Sequence, residues 1–184
     1  KKSPFFGNPK EAYSFDPEKA KGLLKQAGYG PGKPVKAKIM ISTSGSGQML
    51  PLPMNEFLQQ TLAKCGIEIQ FEVVEWGTML VAFRNDPSGP PALGSDAMNI
   101  SLVSSDISQM ARWFWSGNSA PKGSNWGNWQ TDEWDRLLGE IQTSTDQASI
   151  RKKVSRLNEI VVDEAPWLWI VHDLNPRAMS KKVK

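Results

Sequence analysis

The chain has 184 residues, enough for one domain with a real core, and 39% of them are hydrophobic. Its net charge of +3 is dispersed, apart from Lys181, Lys182 and Lys184, and so lacks the dense basic stripe of a nucleic-acid-binding surface. No apolar run approaches the ~20 residues of a membrane span, and Cys65, standing alone, rules out an internal disulfide and a cysteine-rich metal site.

Residues 1–12 read as an irregular lead-in broken by Pro4, Gly7 and Pro9, the end of a crossing segment more than the start of a domain. No signal peptide is visible after Lys1-Lys2, so an exported parent would make this chain a mature or excised piece. The first helix is set by Asp16 as N-cap and by Pro17 at the first helical position, where a preset φ helps and no orphan N–H arises. Ala20, Leu23, Leu24 and Ala27 fall at i, i+3, i+4 and i+7 and form one narrow apolar face. Gly28 follows as a left-handed cap with Tyr29 folding back on the last turn, and Gly30-Pro31-Gly32 stops any continuation.

Tyr13, Asp16, Lys19-Ala20, Leu23-Leu24 and Ala27-Gly28-Tyr29, with Gly32 beyond, resemble the Y-x-x-D-x-x-K-A-K-x-L-L-x-x-A-G-Y segment of a known family. That family is the extracellular solute-binding proteins of the peptide/nickel class (family 5), the capture subunits of ABC importers.

Val35 to Ile41 begins as alternation and ends as an apolar run, a strand buried on at least one face. Ser42 to Gly47 is a small-residue loop; its spacing matches neither phosphate-loop pattern, which makes it a flexible connector before an anion cradle. Pro51 and Pro53 precede a helix over about 54–65 with Met54, Phe57, Leu58, Thr61, Leu62 and Cys65 inward. Gly66 ends it, and Ile67, Ile69, Phe71 and Val73 alternate with Glu68, Gln70 and Glu72 as a half-buried strand. The run Leu62 to Trp76 is again similar to the family, where a K-x-G-I-x-V turn joins helix to strand.

Gly77 to Arg84 reads as a short helix capped by Thr78, with Met79, Leu80 and Phe83 inward, and residues 85–95 as a loop. Asp96 to Leu102 alternates as a strand, and Ser104, Ser105 and Asp106 are possible caps of a helix through Met110, Trp113 and Phe114. Ser116 to Gln130 is a long polar loop carrying Trp126, Trp129 and three Asn, a length often functional in a compact domain. Thr131 opens a helix with Trp134, Leu137, Leu138 and Ile141 inward; Asp146 opens a longer one with Ile150, Val154, Leu157 and Val161 inward, stopped by Pro166. Trp167 to Val171 is apolar at every position and reads as a strand covered on both faces. Strands and helices in alternation, without an internal repeat, give a three-layer α/β domain with an open, parallel or mixed sheet.

Catalytic groupings are sparse. His172 is the only histidine, and neighbouring Asp173 points to the opposite face of a strand, so no local pair forms. The acids are scattered and Asp132, Glu133 and Asp135 serve a helix dipole, so neither a metal nor a catalytic centre is expected, and no cofactor.

The resemblance continues to the end of the chain. Asn125, Trp129, Asp135, Leu137 and Leu138 are similar to the family's N-x-x-x-Y-x-N-x-x-x-D-x-L-L segment, with Trp129 where Tyr is usual and Thr131 where Asn is usual. Ile160 to Trp167 resembles the family's I-L-x-E-D-A-P-W close, and Trp169 stands where a Pro is common. The resemblance implies the C-terminal lobe of a type II (class C) periplasmic-binding-protein fold, a mixed sheet flanked by helices. On that reading residues 1–184 are one domain, whose working surface awaits a first lobe that the sequence lacks. It also implies a small solute such as a peptide as ligand, a membrane permease as partner, and a periplasmic or extracellular location with or without a lipid anchor. Asp106 lies near where peptide binders of the family place an acid for a ligand amine. Trp76, Trp113, Asn125, Trp126 and Trp129 are candidate ligand contacts, with packing as the competing reading for each. The alternatives are a ligand-sensing domain of a cytoplasmic transcription regulator and an enzyme on the same scaffold.

Overall fold

The computed structural model describes residues 4–10, 13–102, 107–171 and 180. Its sheet is built on Val35–Ser42 (β1), which pairs in parallel with Ile67–Val74 (β2) from Val35 opposite Ile67 to Ser42 opposite Val74. Ala97–Met98 (β3) pairs in parallel on the other side, Ile39 opposite Ala97, giving the order β2-β1-β3. Parallel neighbours need crossover connections, supplied here by Pro51–Ala63 (α2) and Trp76–Phe83 (α3). The first crossover steps outward from β1 and the second steps back past it, so two right-handed crossings put the helices on opposite faces. The contacts agree. Leu58 and Leu62 of α2 share a cleft with Ile39, Ile69 and Phe71, while Met79 and Ala82 of α3 bury Met40 on the reverse face. This is the expected α/β layering, and the three described strands are all parallel.

The remainder is helical. Asp16 caps Pro17–Gln26 (α1) by accepting from Lys19 N at 2.9 Å. Ile107–Phe114 (α4), Asp132–Gln142 (α5) and Gln147–Glu164 (α6) follow the sheet. Thr131 and Asp146 cap α5 and α6 through their side chains, as expected of those residue types. The inward faces read from the sequence meet here: Trp134, Leu137, Leu138 and Ile141 pack against Val154, Leu157 and Val161, with Ile150 only partly buried, Ile160 joining from α6 unforeseen, and Trp113 and Phe114 from α4 closing the cluster. Trp134 and Leu157 are fully buried. The lead-in lies along α6, where Asn158 Nδ2 donates to the Phe6 carbonyl at 2.8 Å and Tyr13 Oη to the Asp163 carbonyl at 2.9 Å. Gly7, at φ +70°, is required there, because a Cβ would meet the Ser155 carbonyl at 2.8 Å.

Several expectations are corrected. Trp167–Val171 is not a strand; it runs alongside the cleft with Leu168 70% and Val171 61% exposed, having no ladder partner among the described residues. β3 is two residues long instead of spanning Asp96 to Leu102, because Asn99 turns its side chain to a polar cluster where the ladder ends. α1 buries none of its residues and leaves Leu23 54% exposed, with only Ala20 and Leu24 of its apolar stripe half-buried. Phe57 is also exposed, because α2 starts at Pro51 and turns Asn55 inward instead. The Ser42–Gly47 loop is packed and not a free connector: Ser42 and Ser46 are buried. Gly45, at φ +78°, leaves room for the Trp76 indole, whose Cγ would lie 2.8 Å from an added Cβ. α3 begins at Trp76 after Glu75, without a side-chain cap from Thr78. Ser104, Ser105, Asp106, His172 and Asp173 lie outside the described residues.

Candidate functional site

In open α/β sheets the chain leaves the carboxyl ends of the strands in loops that are free to vary, and ligands gather there. Three exits meet at that edge. Residues 43–50 leave β1, Glu75-Trp76 leaves β2, and Asn99 to Leu102 leaves β3. Ser101 N donates to the Ser46 carbonyl at 3.2 Å and fastens the first exit to the third.

Between these exits runs a relay of amides. Gln48 Nε2 donates to Asn99 Oδ1 at 2.7 Å, Asn99 Nδ2 to Asn55 Oδ1 at 2.5 Å, and Asn55 Nδ2 to the Pro51 carbonyl at 2.8 Å. Asn55 is 2% exposed, and its burial is tolerated because both ends of its amide are satisfied. Beside the relay is a depression of about 80 Å³ lined by Gln48, Met54, Asn99, Ile100, Ser101 and the tail residues Leu168, Ile170 and Val171.

A larger cleft of about 440 Å³ opens between α2 with its sheet face and the aromatic helices. Ile39, Leu58 and Phe71 form one wall, and Trp113, Trp126 and Trp167 belong to the other. The two halves touch across it: Trp126 Nε1 donates to the Ala82 carbonyl at 3.0 Å, and Phe83 lies 6.1 Å from Trp113 between ring centroids.

The candidate residues are therefore dispersed. Trp113 and Trp126 line the larger cleft. Trp113 is 5% exposed, packs at a tilt on Phe83 and Trp167, carries the Arg112 guanidinium over its ring at 4.7 Å, and has no hydrogen-bond partner for its Nε1 among the described residues. Asn125 is 1% exposed, and its Nδ2 donates to the Trp129 carbonyl at 2.6 Å, holding the 116–130 loop. Trp129 meets Phe114 and Trp134 edge to face while its Nε1 donates to the Glu164 carboxylate at 3.1 Å. Trp76 sits over Gly45 at the exit of β2, beside the Met40 cluster. Asp106 lies outside the described residues. Sequence reasoning missed Gln48, Asn55 and Asn99. The one available signal was Asn55, a polar residue one turn from both Pro51 and Leu58 on the packed side of α2.

Strong electrostatics lies elsewhere. The Arg156 guanidinium grips Glu133 through Nε at 2.8 Å and Nη2 at 3.0 Å and holds that carboxyl below its ordinary range. Glu140 is likewise lowered, first by its hydrogen bond from Arg136 and then by Lys153. Both tie α5 to itself or to α6, away from the strand exits. Among the described residues no cluster of three or more His, Cys, Asp or Glu is placed to hold a metal ion. No described helix is long and apolar enough to cross a membrane.

Residues 2–134 match the model of the bacterial extracellular solute-binding proteins, family 5 middle region. The chain belongs to this family. Among its relatives, this family 5 chain is 26% identical over 173 residues to di/tripeptide-binding protein 2 of Pseudomonas aeruginosa, covering 93% of this chain and 31% of the relative. It is 27% identical over 173 residues to the dipeptide-binding protein of Escherichia coli, covering 94% and 31%. A solved structure, the periplasmic binding protein DppA from Helicobacter pylori in complex with the peptide STSA, superposes with a TM-score of 0.68 at 27% identity, covering 85% of this chain and 28% of that one. The fold is thus that of periplasmic binding proteins, and the chain spans about a third of the length of the curated relatives it matches.

Proposed function

We propose that this chain is one lobe of the capture component of an ABC importer, contributing half of a binding site for a peptide or related small solute. The single observation behind the reading is the match to the family 5 model over most of the chain. The relatives named for di- and tripeptides, and the neighbour crystallised with a peptide, support peptides over other solutes. The carboxyl-end rim of the sheet supports the half-site: its exits, its small depression and its exposed Met49 and Leu50 form an open edge instead of an enclosed chamber.

The mechanism is population shift. A solute touching this rim and an opposing lobe binds the closed arrangement better than the open one, and it populates closure in proportion to that difference. The closed form is what a membrane permease would recognise. Binding, and not catalysis, is the role this implies for Trp113, Trp126 and Asp106, and export to the periplasm or cell exterior is the location. The transcription-regulator alternative gains no support from the relatives.

The test is a titration of the 184-residue chain with short peptides, followed by amide shifts in nuclear magnetic resonance. Weak, fast-exchange shifts at residues 43–50 and 99–102 and at the Trp113 and Trp126 indoles of the adjoining cleft are expected. Sub-micromolar binding, or shifts centred on another face, would refute the half-site.

A further inference from the structure

The direction of the amide relay is set by its buried end. The Pro51 carbonyl has no hydrogen to give, so Asn55 must present its NH₂ to it. Asn55 then offers its Oδ1 inward, which Asn99 can meet only with its own NH₂. Asn99 in turn offers Oδ1, which Gln48 meets with Nε2. Each amide fixes the flip of the next, and the last oxygen, Gln48 Oε1, is the one amide oxygen of the relay without a partner among the described residues. Reversing Gln48 would oppose two oxygens and reverse nothing deeper, because the anchoring carbonyl cannot turn into a donor.

Gln48 lines the small depression at the β1 and β3 exits, and every described residue lining that depression is uncharged. Its polar groups are the two amides and the Ser101 hydroxyl; Met54, Ile100 and Ile170 are apolar. The volume of about 80 Å³ suits one amide group or a small side chain and no more.

We propose that Gln48 is a specificity-determining residue of the solute half-site, accepting a hydrogen bond from a solute N–H and selecting the uncharged interior of a peptide over a free carboxylate end. This rests on the solute-lobe reading above. A backbone amide brings a donor for Gln48 Oε1 and an acceptor for Ser101 Oγ, with apolar side chains for the flanking Met and Ile residues. A carboxylate brings acceptors only. It would face the Gln48 acceptor oxygen with only the Ser101 hydroxyl to donate to it and no cation among the described lining residues, so most of its lost hydration would go unreplaced.

The test uses the ¹⁵N-labelled 184-residue chain and three probes: N-acetyl-Ala-Leu-amide, the same compound methylated on its amide nitrogens, and zwitterionic Ala-Leu. The capped peptide should move the Gln48 side-chain and the Asn99 and Ser101 backbone signals. The methylated and zwitterionic probes should bind about fivefold more weakly or worse, the loss expected from one hydrogen bond left unmade. Gln48→Leu should remove the difference between the capped and methylated probes. Equal affinity for the methylated probe, or tighter binding of the zwitterion, overturns the proposal while leaving the lobe reading intact. If no probe moves these signals, the lobe reading itself falls and this assignment falls with it. The probe series on the unaltered chain decides the matter even if the Leu variant does not fold.

Discussion

Two leucines, one on α6 and one on α1, make the same substitution a measure of packing. Leu157 is fully buried against α5, whereas Leu23 is 54% exposed on a helix that buries nothing. Leu157→Ala removes three carbons from a dry cluster, about 2.4 kcal/mol of transfer at about 0.8 kcal/mol each, and the unfilled cavity brings the loss to about 3–4 kcal/mol. The neighbours are large and branched or aromatic (Trp134, Leu138, Val161), so little collapse is available to reduce that figure. Leu23→Ala should change stability by no more than about 0.5 kcal/mol, and its lost burial is partly offset by the better helix propensity of Ala. Urea unfolding of both variants, read by tryptophan fluorescence and by circular dichroism, supplies the numbers. Similar losses for the two, or a Leu157→Ala loss under about 1 kcal/mol, would refute the division of this chain into a packed α4–α6 core and an unsupported α1.

Three further outcomes follow from the same geometry. Gly45→Ala should cost about 2–3 kcal/mol, because the left-handed φ and the Trp76 ring both oppose a Cβ; adding Trp76→Ala should recover part of that loss in a double-mutant cycle, and strict additivity of the two losses would refute the contact. Trp126→Phe should cost about 1 kcal/mol in urea unfolding by deleting the bond to the Ala82 carbonyl; an unchanged midpoint would mean the two halves do not depend on it. The Glu133 carboxyl is lowered in the folded state, so its stabilising share is fully present above the unfolded value near about 4.3 and is lost as pH falls through the lower folded value. With side chains 38% and 45% exposed the pair is worth less than about 1 kcal/mol, and Arg156→Met should flatten only the acid limb of a stability-against-pH curve. A flattening at neutral pH instead would contradict the assignment.

Local order was legible wherever one residue's neighbours in sequence are also its neighbours in space. Asp16, Thr131 and Asp146 announce helix starts because a cap bonds to an N–H two or three residues on, and β2 shows its half-burial as alternation from Ile67 to Phe71, although Val73, read as inward, is 49% exposed. The α5 and α6 stripes could be read for the same reason, and the order of elements was enough to reach the layered α/β class and the family. Contact partners were not encoded locally. The apolar stripe of α1 and the unbroken Trp167–Val171 run state only that something should cover them; in the described residues Trp167 packs on the aromatic cluster while Leu23, Leu168 and Val171 stay exposed, and periodicity cannot say which. The candidate tryptophans show the same limit. An indole packs, stacks or lines a cleft according to what the fold places opposite it, as Trp129 and Trp126 illustrate within four residues. Most of all, the Gln48, Asn99 and Asn55 relay joins residues 51 and 44 positions apart. Three separate segments had to converge at the strand ends before those amides could fix one another's direction, and that convergence belongs to the tertiary structure.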